Sequence, residues 1–224
     1  MLASVRSAEE ALFAFQAGAD LIDAKDPSHG TLGSVSPDTL RAIVAAVAGR
    51  RPVSATVGDL PLQLGPLSAA AHLAATCGAD FVKVGIFEKD LPLEQLQLLP
   101  PAVAGVRLIA VLFADRAPPL EVAAPLASAG WHGVMLDTAG KLAGSLRDWT
   151  DENWLAEFVR QARAAGLLVG LAGSLRDDDV RPLAALGPDY LGFRGALCAE
   201  ARRDGCLDPG RVRAIRALLD RAAT

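Results

Sequence analysis

Residues 17–25 read AGADLIDAK and residues 77–85 read CGADFVKVG. Each stretch leaves an alanine-rich amphipathic run through a glycine, enters a short apolar run, and carries a lysine at or near its end. Glycine just past a helix closes it with a left-handed residue, and a short apolar run bounded by such a signal reads as a buried strand. The cadence returns in AGWHGV (129–134), AAGLLV (164–169) and LGPDYL (186–191). A helix-to-strand unit recurring about every 25–30 residues is what a βα array predicts.

Worked outward from these tails, the chain divides into strands and helices in strict alternation. The predicted strands are Leu2–Val5, Leu21–Ala24, Val53–Thr56, Phe81–Val84, Arg107–Leu112, Gly133–Leu136, Leu168–Leu171 and Tyr190–Phe193. The predicted helices are Ala8–Ala17, Pro37–Val47, Ser68–Thr76, Leu93–Val103, Pro119–Ala129, Asp151–Ala165, Asp177–Leu186 and Pro209–Ala222. Ser7 and Ser36 are placed to cap helices, with Glu10 three residues after Ser7 as in a capping box, and Pro37 suits a first helical turn. Parallel strands joined by helices form a closed barrel or an open doubly wound sheet. Eight consecutive units favour the closed (β/α)8 TIM barrel, and the GxGxxG typical of the open sheet is missing after the first strand. No linker or composition break divides the 224 residues, so residues 1–224 are expected to form a single α/β domain.

Composition excludes several function classes. A net charge of −4 gives no basic stripe for nucleic acid. Mean hydropathy is high at +0.29, yet no run of about 18 apolar residues spans a membrane, and the first ten residues do not read as a signal peptide. Three cysteines without CxxC spacing fit a reducing cytoplasm better than a disulfide framework. His29, His72 and His132 lack metal-ligand spacing, so no metal is expected. His29, which follows Lys25 in a turn, reads as an exposed loop residue ahead of an acid or base. Apolar helices and Trp131, Trp149 and Trp154, read as packing or interface residues, predict a homo-oligomer.

The charged residues point to amine chemistry. The chain has four lysines, and Lys25, Lys83 and Lys141 stand at or just beyond predicted strand ends, while Lys89 reads as solvated surface. Active sites of such barrels lie at the C-terminal ends of the strands. Residues i and i+2 share a strand face, so Asp23 and Lys25 point the same way. Lys83 ends the fourth strand, Asp137 the sixth, and Lys141 follows in the next loop. Alternate staves contribute to one interior layer, so these groups are expected to converge. A free lysine has a pKa of about 10.4; desolvation and a neighbouring cation lower such an amine to about 7–8, where it attacks carbonyls. Lys25 and Lys83 would each be the other's cation, with Asp23 and Asp137 orienting the amines and moving protons. The plainer alternative is a set of solvated rim lysines in simple salt bridges.

The last two strands end in LAGS (171–174) and FRGA (193–196), the loops where such barrels frequently bind phosphate. Gly173 and Gly195 allow close backbone approach, Ser174 offers a hydroxyl and Arg194 a forked charge. In VSATVGD (53–59), Thr56 is expected to face the pocket and Asp59 to bind a substrate hydroxyl. Turn-forming glycines and loop punctuation are the alternatives.

Taken together, DAKDPSHGTLG (23–33), VSATVGD (53–59), GADFVKVG (78–85), MLDTAGK (135–141), LAGS (171–174) and FRGALC (193–198) resemble the (5-formylfuran-3-yl)methyl phosphate synthase family, in order and spacing, from the first strand to the last. The resemblance implies a cofactor-free (β/α)8 lyase. It would condense two molecules of glyceraldehyde 3-phosphate into a phosphorylated furan aldehyde, a precursor of methanofuran-type carriers, with loss of one phosphate and several waters. It implies a Schiff base on Lys25, proton acceptance by Lys83, and a pocket shared with Asp23, Asp137 and Lys141. Two other readings compete: another class I aldolase acting on a sugar phosphate, and a non-catalytic barrel that binds phosphorylated metabolites.

Overall fold

The computed structural model describes residues 1–88, 93–140 and 144–222. Strands β1 (Leu2–Val5), β2 (Leu21–Ala24), β3 (Val53–Thr56), β4 (Phe81–Gly85), β5 (Leu108–Phe113), β6 (Gly133–Asp137), β7 (Leu168–Leu171) and β8 (Tyr190–Phe193) follow one another around a closed barrel. All neighbours are parallel, and β8 closes on β1 through Leu2–Gly192 and Ala3–Phe193. Helices α1 (Ala8–Gln16), α2 (Pro37–Val47), α3 (Leu64–Thr76), α4 (Leu93–Ala102), α5 (Ala123–Ser128), α6 (Glu152–Ala164), α7 (Asp177–Ala185) and α8 (Pro209–Ala222) alternate with the strands. The fold is a TIM barrel. Among the described residues no helix is long and apolar enough to cross a membrane.

The repeated tails have a structural meaning beyond closing helices. The glycine of each takes a positive φ, from 74° at Gly187 to 99° at Gly78. The aspartate that follows in three of them reaches sideways: Asp80 accepts from the Val53 N–H at 2.9 Å, Asp189 from the Val169 N–H at 2.7 Å, and Asp20 from the Met1 amine. Each of these aspartates thus ties the N-terminal edge of its own strand to that of the strand before it.

Local signals explain where the elements start and stop. Ser7 and Ser36 cap α1 and α2, accepting from the N–H groups of Glu10 and Thr39. Helix α3 begins four residues before its expected start, because Pro66 falls within its first turn, where no N–H is needed. The helix expected over Pro119–Ala129 is instead a 3-10 turn, Leu120–Val122, followed by α5. Pro125 there has no N–H to offer the carbonyl of Glu121. Pro100 stands in the last turn of α4 and likewise cannot bond the Leu96 carbonyl; the Trp131 indole N–H takes that carbonyl at 2.9 Å.

Two cores result. The outer one lies between sheet and helices, where small residues such as Ala11, Ala14 and Ala71 face Val5, Ile22 and Val84. The inner one fills part of the barrel with Ile109, Val111, Phe113, Met135 and Ala172. The opposite side of the interior is polar: Ser4, Asp23, Ser54 and Lys83 are all buried. An apolar wall from β5 to β7 therefore faces a charged one from β1 to β4.

Candidate active site

The pleat turns Ser4, Asp23 and Ser54 inward at matching register, Ser4 beside Asp23 and Asp23 beside Ser54. Both hydroxyls donate to the Asp23 carboxylate, at 2.8 Å from Ser4 and 2.6 Å from Ser54. The Lys83 ammonium completes the set at 2.7 Å. Lys83 is 2% exposed and Asp23 fully buried, so a buried pair of charges is offset by hydrogen bonds on both carboxylate oxygens. Lys25 points from the end of β2 towards Asp137 at the end of β6, with Nζ 3.8 Å from Oδ2. Asp137 is oriented by the Thr138 N–H at 2.7 Å.

Both lysines and Asp137 line one cavity of about 530 Å³ at the C-terminal mouth, while Asp23 lies behind Lys83. Gly173, Ser174, Arg194 and Gly195 line it too. Lys25, Lys83, Asp23 and Asp137 thus come together as the strand parity predicts. Lys141, like Lys89, lies outside the described residues. His29 is exposed and held by Asp26 at 2.9 Å, in the loop beyond the pocket.

On the β7 and β8 loops, Ser174 adopts a left-handed backbone with φ 48°, a strained setting for a residue with a side chain. Gly173 permits a close crossing of two loops, since a Cβ there would stand 3.0 Å from the Thr138 nitrogen. Gly195 opens a 3-10 turn, Gly195–Leu197, whose first internal bond is made by the Leu197 N–H. The N–H groups of Gly195 and Ala196 precede that bond.

Three expected substrate contacts are committed elsewhere. Thr56 donates its hydroxyl to the Gly33 carbonyl at 2.9 Å. Asp59 accepts the N–H groups of Thr31 and Leu32, each at 2.7 Å. Both residues therefore secure the loop after β2, which carries Lys25, and neither lines the main cavity. Arg194 is spent entirely within the protein. Its guanidinium donates to both oxygens of buried Glu10, at 2.6 and 3.2 Å, and to the carbonyls of Ser4, Arg203 and Gly205. Five N–H groups meet five acceptors, so none remains for a phosphate. Glu10 in turn leaves the capping box: its side chain accepts from the Arg6 and Leu207 N–H groups, because the buried guanidinium draws it inward.

Sequence reasoning missed Ser4, Ser54 and Glu10. The two serines were detectable from strand parity alone. Glu10 carried a local signal that pointed to the helix end.

A family model described as 4-HFC-P synthase matches residues 1–216. A relative from Methylorubrum extorquens is 45% identical over 212 residues, covering 95% of this chain and 88% of its own. The (5-formylfuran-3-yl)methyl phosphate synthases of Methanosarcina mazei and Methanocaldococcus jannaschii are each 36% identical, covering 90% and 97% of this chain and 92% and 98% of theirs. Among solved structures, a phosphoribosyl anthranilate isomerase from Thermus thermophilus superposes with a TM-score of 0.71 at 17% identity, over 98% of both chains. The 3-hexulose-6-phosphate synthase of Salmonella typhimurium gives 0.69 at 18%, over 99% of this chain and 98% of that one. These two likenesses carry the barrel and nothing finer. The sequence matches reach further, across nearly the whole chain and every strand end that lines the cavity, and by them the chain belongs to the 4-HFC-P synthase family of enzymes.

Proposed function

We propose that this enzyme condenses two molecules of glyceraldehyde 3-phosphate into (5-formylfuran-3-yl)methyl phosphate through an imine on Lys25. The observation that carries the reading is the pair of lysine–carboxylate contacts at one barrel mouth, Lys25 with Asp137 and Lys83 with Asp23. Loss of one phosphoric acid and two waters from two triose phosphates balances the product, so no oxidant or reductant is required.

In this reading the Lys25 amine attacks the aldehyde carbon of one triose. Asp137 takes a proton from the adduct and returns it to the departing water. The imine withdraws electrons, and the neighbouring C–H is lost as a proton. Lys83 receives that proton after passing its own to Asp23, 2.7 Å away. The resulting enamine expels phosphate from the third carbon or adds to the second aldehyde. Closure and dehydration then give the aromatic ring. The apolar wall of Val111, Phe113 and Met135 keeps the far side of the barrel dry.

The test is reduction with borohydride in the presence of glyceraldehyde 3-phosphate, followed by peptide mapping. The expected label is on Lys25; a label on Lys83 alone overturns the assignment. An ultraviolet-absorbing furan formed from glyceraldehyde 3-phosphate alone separates this reaction from that of a sugar-phosphate aldolase.

A further inference from the structure

We propose that Arg203, on the loop after β8, is the residue that takes a substrate phosphate at the cavity mouth; this rests on the triose phosphate reading above. Four arginines near this end of the cavity lie on the β8 side: Arg194, Arg202, Arg203 and Arg211. Arg194 has no donor left. Arg202 is paired with Asp204 at 2.9 Å and Arg211 with Asp177 at 2.6 Å. Among the described residues no carboxylate lies within ion-pair distance of Arg203, and its guanidinium makes one hydrogen bond, to the Gly30 carbonyl at 3.1 Å.

Its setting suits an anion. Arg203 is half-buried and lines the same cavity as Lys25 and Lys83. Burial lowers its guanidinium from the ordinary value, Asp137 pulls it back up and Arg194 pushes it further down. A partly dehydrated cation with donors to spare gains from a phosphate, which its planar fork can engage through two oxygens. The loop that presents it is held from beneath, because Arg194 donates to the Arg203 carbonyl at 2.9 Å and to the Gly205 carbonyl at 2.6 Å. The arginine expected to bind phosphate thus positions the one that does. The Arg203–Gly30 bond also ties this loop to the one that carries Lys25. Arg176, on the β7 side, is a weaker candidate: it is exposed and heads a helix that opens with Asp177, Asp178 and Asp179.

The test compares the native enzyme with R203Q, R203K and R176Q in steady-state kinetics, in competitive inhibition by inorganic phosphate, and in borohydride trapping with both glyceraldehyde 3-phosphate and unphosphorylated glyceraldehyde. R203Q is expected to raise KM and the phosphate inhibition constant together by about tenfold or more, and to lower trapping of glyceraldehyde 3-phosphate far more than trapping of glyceraldehyde. R203K, which keeps the charge and loses the fork, should fall between. Values for R203Q within about twofold of native, or a loss confined to R176Q, overturn the proposal. Native enzyme that traps neither aldehyde defeats the imine reading instead, and the phosphate inhibition series still decides the role of Arg203.

Discussion

The Lys83 ammonium meets the Asp23 carboxylate at 2.7 Å inside the barrel, even though Asp23 shares a strand face with Lys25. The pairing runs from β2 across to β4, and Ser4 and Ser54 complete the shell of Asp23. Removing one partner of a buried pair leaves an uncompensated charge and costs about 3–5 kcal/mol, whereas removing both is often close to neutral. Asp23→Ala should therefore lose stability in that range by urea denaturation. Lys83→Met should lose less, since two hydroxyls still donate to the carboxylate. The double variant should be more stable than Asp23→Ala alone. Strictly additive losses would mean the contact contributes nothing to the fold. All three should be without turnover.

Arg194 and Glu10 provide the contrasting case, a buried ion pair that serves architecture. Glu10→Gln keeps the shape of the side chain and removes its charge. It leaves Arg194, 8% exposed along its side chain, without a counter-ion. The expected loss is again about 3 kcal/mol or more, seen as a lower denaturation midpoint. Borohydride trapping of glyceraldehyde on Lys25 should persist in whatever fraction remains folded. A native midpoint in Glu10→Gln with a raised KM would return Arg194 to the role of substrate contact.

Strand parity and the glycine-closed tails were enough to place every strand within one residue and to bring Lys25, Lys83, Asp23 and Asp137 to one mouth, because both depend on local periodicity. The commitments of Thr56, Asp59 and Arg194 were not legible. Thr56 and Asp59 are set by the loop of another βα unit, through Gly33 for the first and Thr31 and Leu32 for the second, and Arg194 is set by Glu10 on α1 and by the 203–205 turn further along its own loop. A residue's spacing in the chain says which face it takes. Which acceptor reaches that face first depends on loop paths that carry no period. Arg203 was overlooked for the same reason, since it lies well beyond the last strand in a run of charged residues.

Asp59 tests whether the β2 loop matters to chemistry. Its two oxygens hold consecutive N–H groups of Thr31 and Leu32, and a Cβ on left-handed Gly30 would come within 2.3 Å of Oδ2. Asp59→Ala releases two charge-assisted bonds, for a stability loss of about 1–3 kcal/mol. Because that loop carries Lys25 and receives Arg203, kcat/KM should fall by about tenfold or more. Gly30→Ala should reproduce the kinetic defect through the clash and the strained backbone. Native kinetics in both variants would show that Lys25 is positioned by its strand alone.

Trp131 offers a prediction about the scaffold that can be checked without substrate. Its indole N–H bonds the Leu96 carbonyl, which Pro100 leaves without a helical partner. Trp131 is 4% exposed and Leu96 is 1% exposed, so water cannot replace the lost donor. Trp131→Phe should cost about 1–3 kcal/mol for the orphaned carbonyl, in addition to the packing change. Pro100→Ala restores a main-chain N–H to the same acceptor and should be near neutral in the native background. It should recover a measurable part of the loss in the Trp131→Phe background. Equal effects of Pro100→Ala in the two backgrounds, measured by urea denaturation, would mean that the indole and the helix do not compete for that oxygen.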